Sequence, residues 1–286
     1  MTIRILHHWA CSGGTILSRA IASLPNVVLL SEVHPLAHLR LATASPDYTP
    51  TDLIQQLCLP HNGRDPVLCV AAWNGAIDAL QQTLQAQQKH LVLRSHSHID
   101  FFTGANCSEQ PLVRRCLAPR HALLELLSVR HPLDSWISIR EQAWHHHFRF
   151  ASLAEFCRRG LHMLEACSGL PLLRYEDFTL QPQTTLELIC SVLQLPAQTD
   201  GPGEDLAAIS LSGDSGRSGD AISPRPRRPL PDAVQEELQR ELASASHHSP
   251  YQRLCTRLGY AADPSAAHPF TVAGPPPPHL LQPLPR

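Results

Sequence analysis

Three groups of residues have types and spacings that could do chemistry. Ser12-Gly13-Gly14-Thr15 follows a short apolar run and precedes an amphipathic stretch. Glycines between a strand and a helix let backbone N–H groups converge on an anion at the positive end of the helix dipole. Ser12 and Thr15 add hydroxyl donors. Arg130 ends a second apolar run, and Ser138 follows eight residues later. A strand-end arginine with a helix-borne hydroxyl can grip a phosphate through charge-assisted hydrogen bonds. The plainer alternative is a cap-region ion pair between Arg130 and Asp134. His96 and His98 follow a third run in Arg94-Ser95-His96-Ser97-His98. A histidine titrating near pH ~6.5 can take a proton from a hydroxyl, although most histidines cap turns or face solvent.

The elements that must carry these groups alternate. Ile3–Leu6, Val27–Leu30, Leu91–Arg94, Leu123–Val129 and Leu170–Arg174 are short and mostly continuous in apolar character, as in parallel strands covered on both faces. Helical patterns lie between and after them: Thr15–Leu24, Ala71–Gln88, Leu133–Trp144, Ser152–Cys167, Thr184–Leu195, Asp232–Ala243 and Tyr251–Leu258. Pro132 suits a first helical turn, where its missing N–H costs nothing. The expected fold is an α/β three-layer sandwich with a central, mostly parallel sheet, binding its ligand beyond the carboxyl ends of the strands.

The pattern predicts one α/β domain over residues 1–260. Residues 201–231 form a long Gly/Pro-rich basic loop, and 261–286, with 8 of the 26 prolines, a disordered or polyproline-like tail. Residues 213–228 carry four arginines against two aspartates. The bland reading of that stretch is a solvated linker.

With 23 Lys+Arg against 25 Asp+Glu, the 286-residue chain has no global field to recruit nucleic acid, so an anion site must be local. Lys89 is the one lysine, far from the first loop. That loop is therefore not a Walker A motif, which disfavours an ATPase or kinase that relies on a loop lysine. Nine cysteines without a Cys-x-x-Cys pair, no signal-like start and no apolar run near ~18 residues suggest a cytoplasmic protein without stable membrane insertion. His145-His146-His147 point in different directions on a helix and make no metal face; no metal is expected. Glu32 and His34 are read as braces of the loop after the second strand, with contact to a substrate as the alternative.

Taken together, the motifs resemble those of the sulfotransferases that use 3'-phosphoadenosine 5'-phosphosulfate (PAPS). Ser12-Gly13-Gly14-Thr15 resembles the family's 5'-phosphosulfate loop, and Arg130 with Ser138 its 3'-phosphate motif. Leu173-Arg174-Tyr175-Glu176-Asp177-Phe178 is similar to an Arg-Tyr-Glu-Asp stretch that follows a late strand there. The matches run in the family's order over about Met1 to Leu195. The stretch from Ser212 to Arg228 looks like the family's glycine-bearing basic loop, which assigns Arg217 to the 3'-phosphate. Arg94-Ser95-His96 is similar to the step that supplies the histidine base, so His96 is the expected base and His98 the second choice.

The resemblance implies the P-loop-containing nucleoside triphosphate hydrolase-like sulfotransferase architecture. It also implies PAPS as donor, no metal, and sulfuryl transfer to a hydroxyl on a small-molecule or glycan acceptor. One departure matters: the family usually has a lysine or arginine before the Ser-Gly pair, and this chain has Cys11. Arg19, His8 or Arg94 could reach in. Without such a cation the chain would be a catalytically impaired nucleotide-binding module; a kinase-like phosphotransferase is the other alternative. Cys11 itself, at a helix N-terminus that lowers thiol pKa, is a conceivable nucleophile.

Overall fold

The computed structural model describes residues 1–37, 53–57, 65–147, 151–196, 206–209, 211, 222–243 and 249–264. Arg217 and the tail after residue 264 lie outside these described residues. Five strands form one sheet: β1 (Thr2–His8), β2 (Val27–Val33), β3 (His90–Ser95), β4 (Ala122–Val129) and β5 (Leu172–Arg174). Their order is β2-β3-β1-β4-β5, and each adjacent pair is parallel. The continuous apolar runs have a direct cause. Along β1, Ile3 and Ile5 pack into one core cluster and Leu6 into another, so both faces of the strand are covered.

Helices α1 (Gly14–Ala22), α2 (Leu53–Leu57) and α3 (Pro66–Ala86) precede β3. Helix α4 (Leu112–Leu117) leads into β4, and α5 (Pro132–Glu141) with α6 (Leu153–Ala166) connects β4 to β5. Helices α7 (Tyr175–Leu180), α8 (Pro182–Leu193), α9 (Asp232–Ala243) and α10 (Pro250–Leu258) follow. The largest cluster is built around Trp9, Trp136, Phe101, Phe102 and Phe156, where α5 and α6 meet the loop after β1. Leu17, Ile21, Phe178 and Ile189 join Leu6 and Leu126 in a second cluster between the sheet and helices α1, α7 and α8.

Several boundaries differ from the sequence pattern for identifiable reasons. β1 runs on through His7 and His8 because each buried ring has a polar partner on a neighbouring strand: His7 Nε2 meets Glu125 Oε2 of β4 at 2.9 Å, and His8 meets Arg94 of β3. Helix α3 starts at Pro66, five residues before the apolar period begins, capped by Asp65, whose side chain accepts the Val67 N–H at 2.8 Å. Helix α5 stops at Glu141, since Ala143 turns left-handed (φ 58°), and Trp144–His147 form a separate 3₁₀ turn. Pro132 does occupy the first turn of α5, with His131 Nδ1 capping the Leu133 N–H at 3.2 Å.

The order of strands decides where chemistry can occur. β1 lies between β3 and β4, and register pairs Leu6 with Arg94 on one side and His8 with Ser128 on the other. The three candidate segments, after β1, β3 and β4, therefore leave the sheet at one carboxyl edge and side by side.

Candidate active site

The loop after β1 is held open by its own geometry. Trp9 is fully buried, its ring edge-on to Phe156 with centroids 5.9 Å apart, and Ser12 Oγ donates to the Trp9 carbonyl at 2.9 Å. Two residues take left-handed backbone, Cys11 (φ 59°) and Gly13 (φ 79°), the latter as N-cap of α1. Glycine is needed at 13 twice over. Besides the positive φ, a Cβ there would lie 2.1 Å from the Tyr175 ring. At Gly14 a Cβ would lie 2.9 Å from Arg94 Nη2 and 3.0 Å from His8 Nδ1. The first turn of α1 holds no acidic residue, so its amides and dipole face the loop uncompensated by a carboxylate on that turn. The Ser12 hydroxyl, expected as an anion donor, is used here to shape the loop.

A cation reaches this loop from the neighbouring strand. Arg94 is 3% exposed; its Nε donates to His8 Nε2 at 3.0 Å, and its Nη1 to Ser31 Oγ at 3.1 Å and Thr15 Oγ1 at 3.3 Å. Its Nη2 lies 3.2 Å from Glu32 Oε1, and Glu32 is itself left-handed (φ 55°) at the irregularity between Leu30 and Val33. Arg19 instead turns its Nε to the carbonyl of Ile209 at 2.9 Å. Burial pushes the Cys11 thiol up to about 12, against the opposing pull of Arg130 and Arg228, which disfavours the thiolate that a cysteine nucleophile needs.

The second anion element abuts the first. Arg130 Nη1 lies 3.4 Å from the Cys11 carbonyl that accepts from it, and its guanidinium sits 5.1 Å from the centroid of the Tyr175 ring. That is the same ring that packs against Gly13. The alternative of an Arg130–Asp134 cap pair gives way to another partner: Arg227 holds the Asp134 carboxylate with two bonds of 3.1 and 3.2 Å. Among the described residues no carboxylate forms an ion pair with Arg130. Ser138 is nearly buried, on α5 as expected. Arg228 pairs with Glu141 and is close enough to feel the charges of Arg130 and Cys11; burial first, then Arg130, lowers its pKa. The basic stretch thus does run past Arg130, and within its described part Arg228 is close enough to couple to Arg130. Sequence reasoning singled out Arg217 instead, although Arg228 was inside the same charged stretch.

Around Tyr175, the residues Arg174, Glu176 and Asp177 make structural contacts. Arg174 grips Asp177 with bonds of 2.8 and 3.1 Å. Glu176 accepts the His131 N–H at 3.0 Å and the Tyr260 hydroxyl at 2.5 Å, while burial pushes its carboxyl up despite these bonds. It thereby ties the loop after β4 to the segment following α10.

Four histidines crowd the carboxyl edge of β1–β3, and hydrogen bonding sorts them. His8 is used at both nitrogens: Nδ1 faces the Trp9 carbonyl at 3.0 Å, and Nε2 accepts from Arg94. His34 is also used twice, accepting the Leu36 N–H at Nδ1 (3.1 Å) and facing Asp100 Oδ1 with Nε2 (3.3 Å). It braces its loop, the bland expectation. His96 Nε2 meets His98 Nε2 at 3.0 Å, and its Nδ1 makes no hydrogen bond among the described residues. Burial, then His34 and Arg94, lower the His96 pKa to about 4, with Asp100 opposing. The ring is neutral at pH 7 and able to accept a proton.

That depression has a stability consequence. The unfolded chain binds a proton at this histidine below about 6.5 and the folded chain only below about 4, so stability falls as pH drops through that window. The expected loss from His96 is up to about 3 kcal/mol at pH 4, absent above pH ~7. Chemical denaturation of wild type and His96→Gln at pH 7 and pH 5 measures it. The gap between the two proteins must shift in favour of the variant at pH 5; a constant gap refutes the depressed pKa.

No family model and no curated protein sequence matches the chain. Solved structures do. The sulfotransferase domain from the curacin biosynthetic pathway superposes with a TM-score of 0.52 at 17% identity, over 91% of this chain and 99% of that one. The sulfotransferase domain of the Synechococcus PCC 7002 olefin synthase does so with a TM-score of 0.53 at 19% identity, over 91% and 95%. The fold is that of the sulfotransferases. The sulfotransferase architecture expected from the motifs is thus present, with the parallel five-stranded sheet at its centre. No helix in the described part of this sulfotransferase fold is long and apolar enough to cross a membrane. Nor does any group of three or more His, Cys, Asp or Glu side chains among those residues converge as a metal site.

Proposed function

We propose that the chain transfers the sulfuryl group of PAPS to a hydroxyl of a small-molecule or glycan acceptor. One observation carries the reading: two strand-end arginines, Arg94 from β3 and Arg130 from β4, close on the same glycine loop from either side. A donor with phosphate at both ends of its ribose matches two adjoining cation sites; a single-phosphate ligand uses one. The amides of Gly13 to Thr15 hold the 5'-phosphate oxygens, with Arg94 beside them. Arg130 and Ser138 hold the 3'-phosphate, joined by Arg228 and, from the basic loop, Arg217.

The chemistry follows from charge. As the acceptor oxygen bonds to sulfur, the bond between sulfur and the bridging oxygen breaks, and its electron pair stays on the departing phosphate. Arg94 and the α1 amides meet that charge, and a preorganised donor of this kind contributes on the order of 10²–10³ in rate. His96, neutral at pH 7, takes the acceptor's proton at Nδ1. Arg94 fills the place of the cation missing at Cys11, which removes the main reason for reading the chain as an impaired module.

Thermal denaturation with adenosine 3',5'-bisphosphate and with ATP separates the donors. At about 100 times its dissociation constant the bisphosphate is expected to add roughly 2.7 kcal/mol. Stabilisation by ATP in preference to the bisphosphate would overturn the assignment in favour of a phosphotransferase.

A further inference from the structure

The chain between Ile222 and Leu230 crosses the site as a strap. Ile222 packs against the cluster between the sheet and helices α1, α7 and α8, whereas Leu230 packs against the cluster built on α5 and α6. At ~3.1 Å per residue in extended form, the chain between them is long enough to pass from one face of the sheet to the other. It does so at the carboxyl edge, where Arg228 feels the charges of Arg130 and Cys11. Prolines at 224, 226 and 229 stiffen it by fixing φ at their own positions and biasing Arg225 and Arg228, which precede prolines, toward extended backbone. All three prolines are exposed, while Arg225, Arg227 and Arg228 are partly buried.

One residue ties the middle of this strap down. Arg227 spans Asp134 with two bonds, Nε to Oδ1 at 3.1 Å and Nη2 to Oδ2 at 3.2 Å, and its Nη1 donates to the Pro264 carbonyl at 3.3 Å. Asp134 lies on the first turn of α5, and its side chain is 3% exposed. His131 Nδ1, 3.8 Å from Asp134 Oδ2, accepts the Leu133 N–H and so has no proton to offer that carboxylate.

Arg228, the next residue along, needs such a tether. Two guanidinium groups that feel one another repel until an anion lies between them. Glu141 pairs with Arg228, but the Glu141 side chain is 36% exposed, and an ion pair in contact with water contributes little. The buried fork between Arg227 and Asp134 is the stronger anchor. We propose that Arg227 is a positioning residue for the donor: through Asp134 it fixes the strap so that Arg228 stays beside Arg130 and completes the 3'-phosphate site. This deepens the sulfuryl-donor reading and rests on it for the identity of the ligand; the tether rests on the geometry alone.

The test compares the binding of adenosine 3',5'-bisphosphate and adenosine 5'-phosphate to the full chain by calorimetry. Arg227→Met should weaken the bisphosphate about tenfold, because Arg228 loses its hold on the 3'-phosphate. Affinity for the 5'-phosphate should stay within about twofold. Arg227→Lys keeps the charge without the fork and should recover part of the loss. The double variant Arg227→Met, Arg228→Met should lose no more than Arg228→Met alone, since the first residue acts through the second. Should Arg227→Met fail to fold, Asp134→Asn opens the same fork with a side chain of equal size and is expected to show the same split between ligands. Equal losses for the two ligands, additive losses in the double variant, or undiminished bisphosphate affinity would each overturn the role of Arg227. A wild-type chain that binds both nucleotides equally would overturn the donor assignment instead. The crystal structure of Asp134→Asn then decides the tether: Arg228 displaced from Arg130 supports it, and Arg228 still in place refutes it.

Discussion

Replacing His96 with alanine is expected to lower turnover of PAPS by about 10²–10⁴-fold, the usual contribution of a positioned general base. The reason is geometric before it is acidic. Of the four histidines at the carboxyl edge of β1–β3, His8 and His34 are bound at both nitrogens, whereas His96 keeps Nδ1 without a hydrogen-bond partner among the described residues. A hydroxyl placed against sulfur needs such a lone pair to lose its proton as the bond forms. Nucleotide binding should survive, since His96 touches neither the glycine loop nor Arg130 in this structure. Release of bisphosphate from PAPS over a panel of phenolic and sugar acceptors measures the loss. An alanine variant with undiminished turnover would remove His96 from the mechanism.

The second large effect concerns Arg94. Arg94→Met keeps the length of the side chain and deletes the charge beside Gly14 and Thr15. Turnover should drop on the order of 10²–10³-fold, the cost of removing one preorganised donor from a developing anion. Stability falls as well, because His8 Nε2 and the Glu32 carboxylate lose the guanidinium they share. The two effects are separable by comparing Arg94→Met with Arg94→Lys. Lysine restores a charge at the loop but not the fork that joins His8, Thr15, Ser31 and Glu32, so turnover should recover further than thermal stability does. Equal turnover for the methionine variant and wild type would show that the leaving phosphate is stabilised elsewhere.

How much of this could be read from the chain alone depends on range. The strands were legible because both faces of the sheet are covered, which writes continuous apolar runs such as Leu91–Leu93 into the sequence. The start of α5 was legible because proline at a first turn is a local rule, and Asp65-Pro66 was an equally local cap signal that the apolar period concealed. His7 and His8 hid the end of β1, since their partners Glu125 and Arg94 are 118 and 86 residues away.

The glycine loop and Arg130 were legible as separate anion elements, but their contact through Tyr175 was not. Nothing near residue 13 announces a ring at 175 filling the space of its missing side chain. Arg94 shows the limit most plainly. It was one of three candidates to replace the absent loop cation, and the strand order, with β3 beside β1, is what brings it against Gly14 and Thr15. The interplay of His96 and His98 likewise depends on where the chain turns after β3.

On the proposed function, rooting that cation in the sheet changes what donor capture demands of the molecule. A lysine on a flexible loop has to be immobilised when its phosphate arrives, and that ordering subtracts from affinity. Arg94 is held beforehand by His8, Ser31 and Glu32, at the end of a strand inside the sheet. On the proposed function, the glycine loop with Arg94 works as a socket more than a clamp. Its selectivity should come from the spacing of fixed charges, and a ligand whose phosphates fall at other separations finds no compliant arm to reach it.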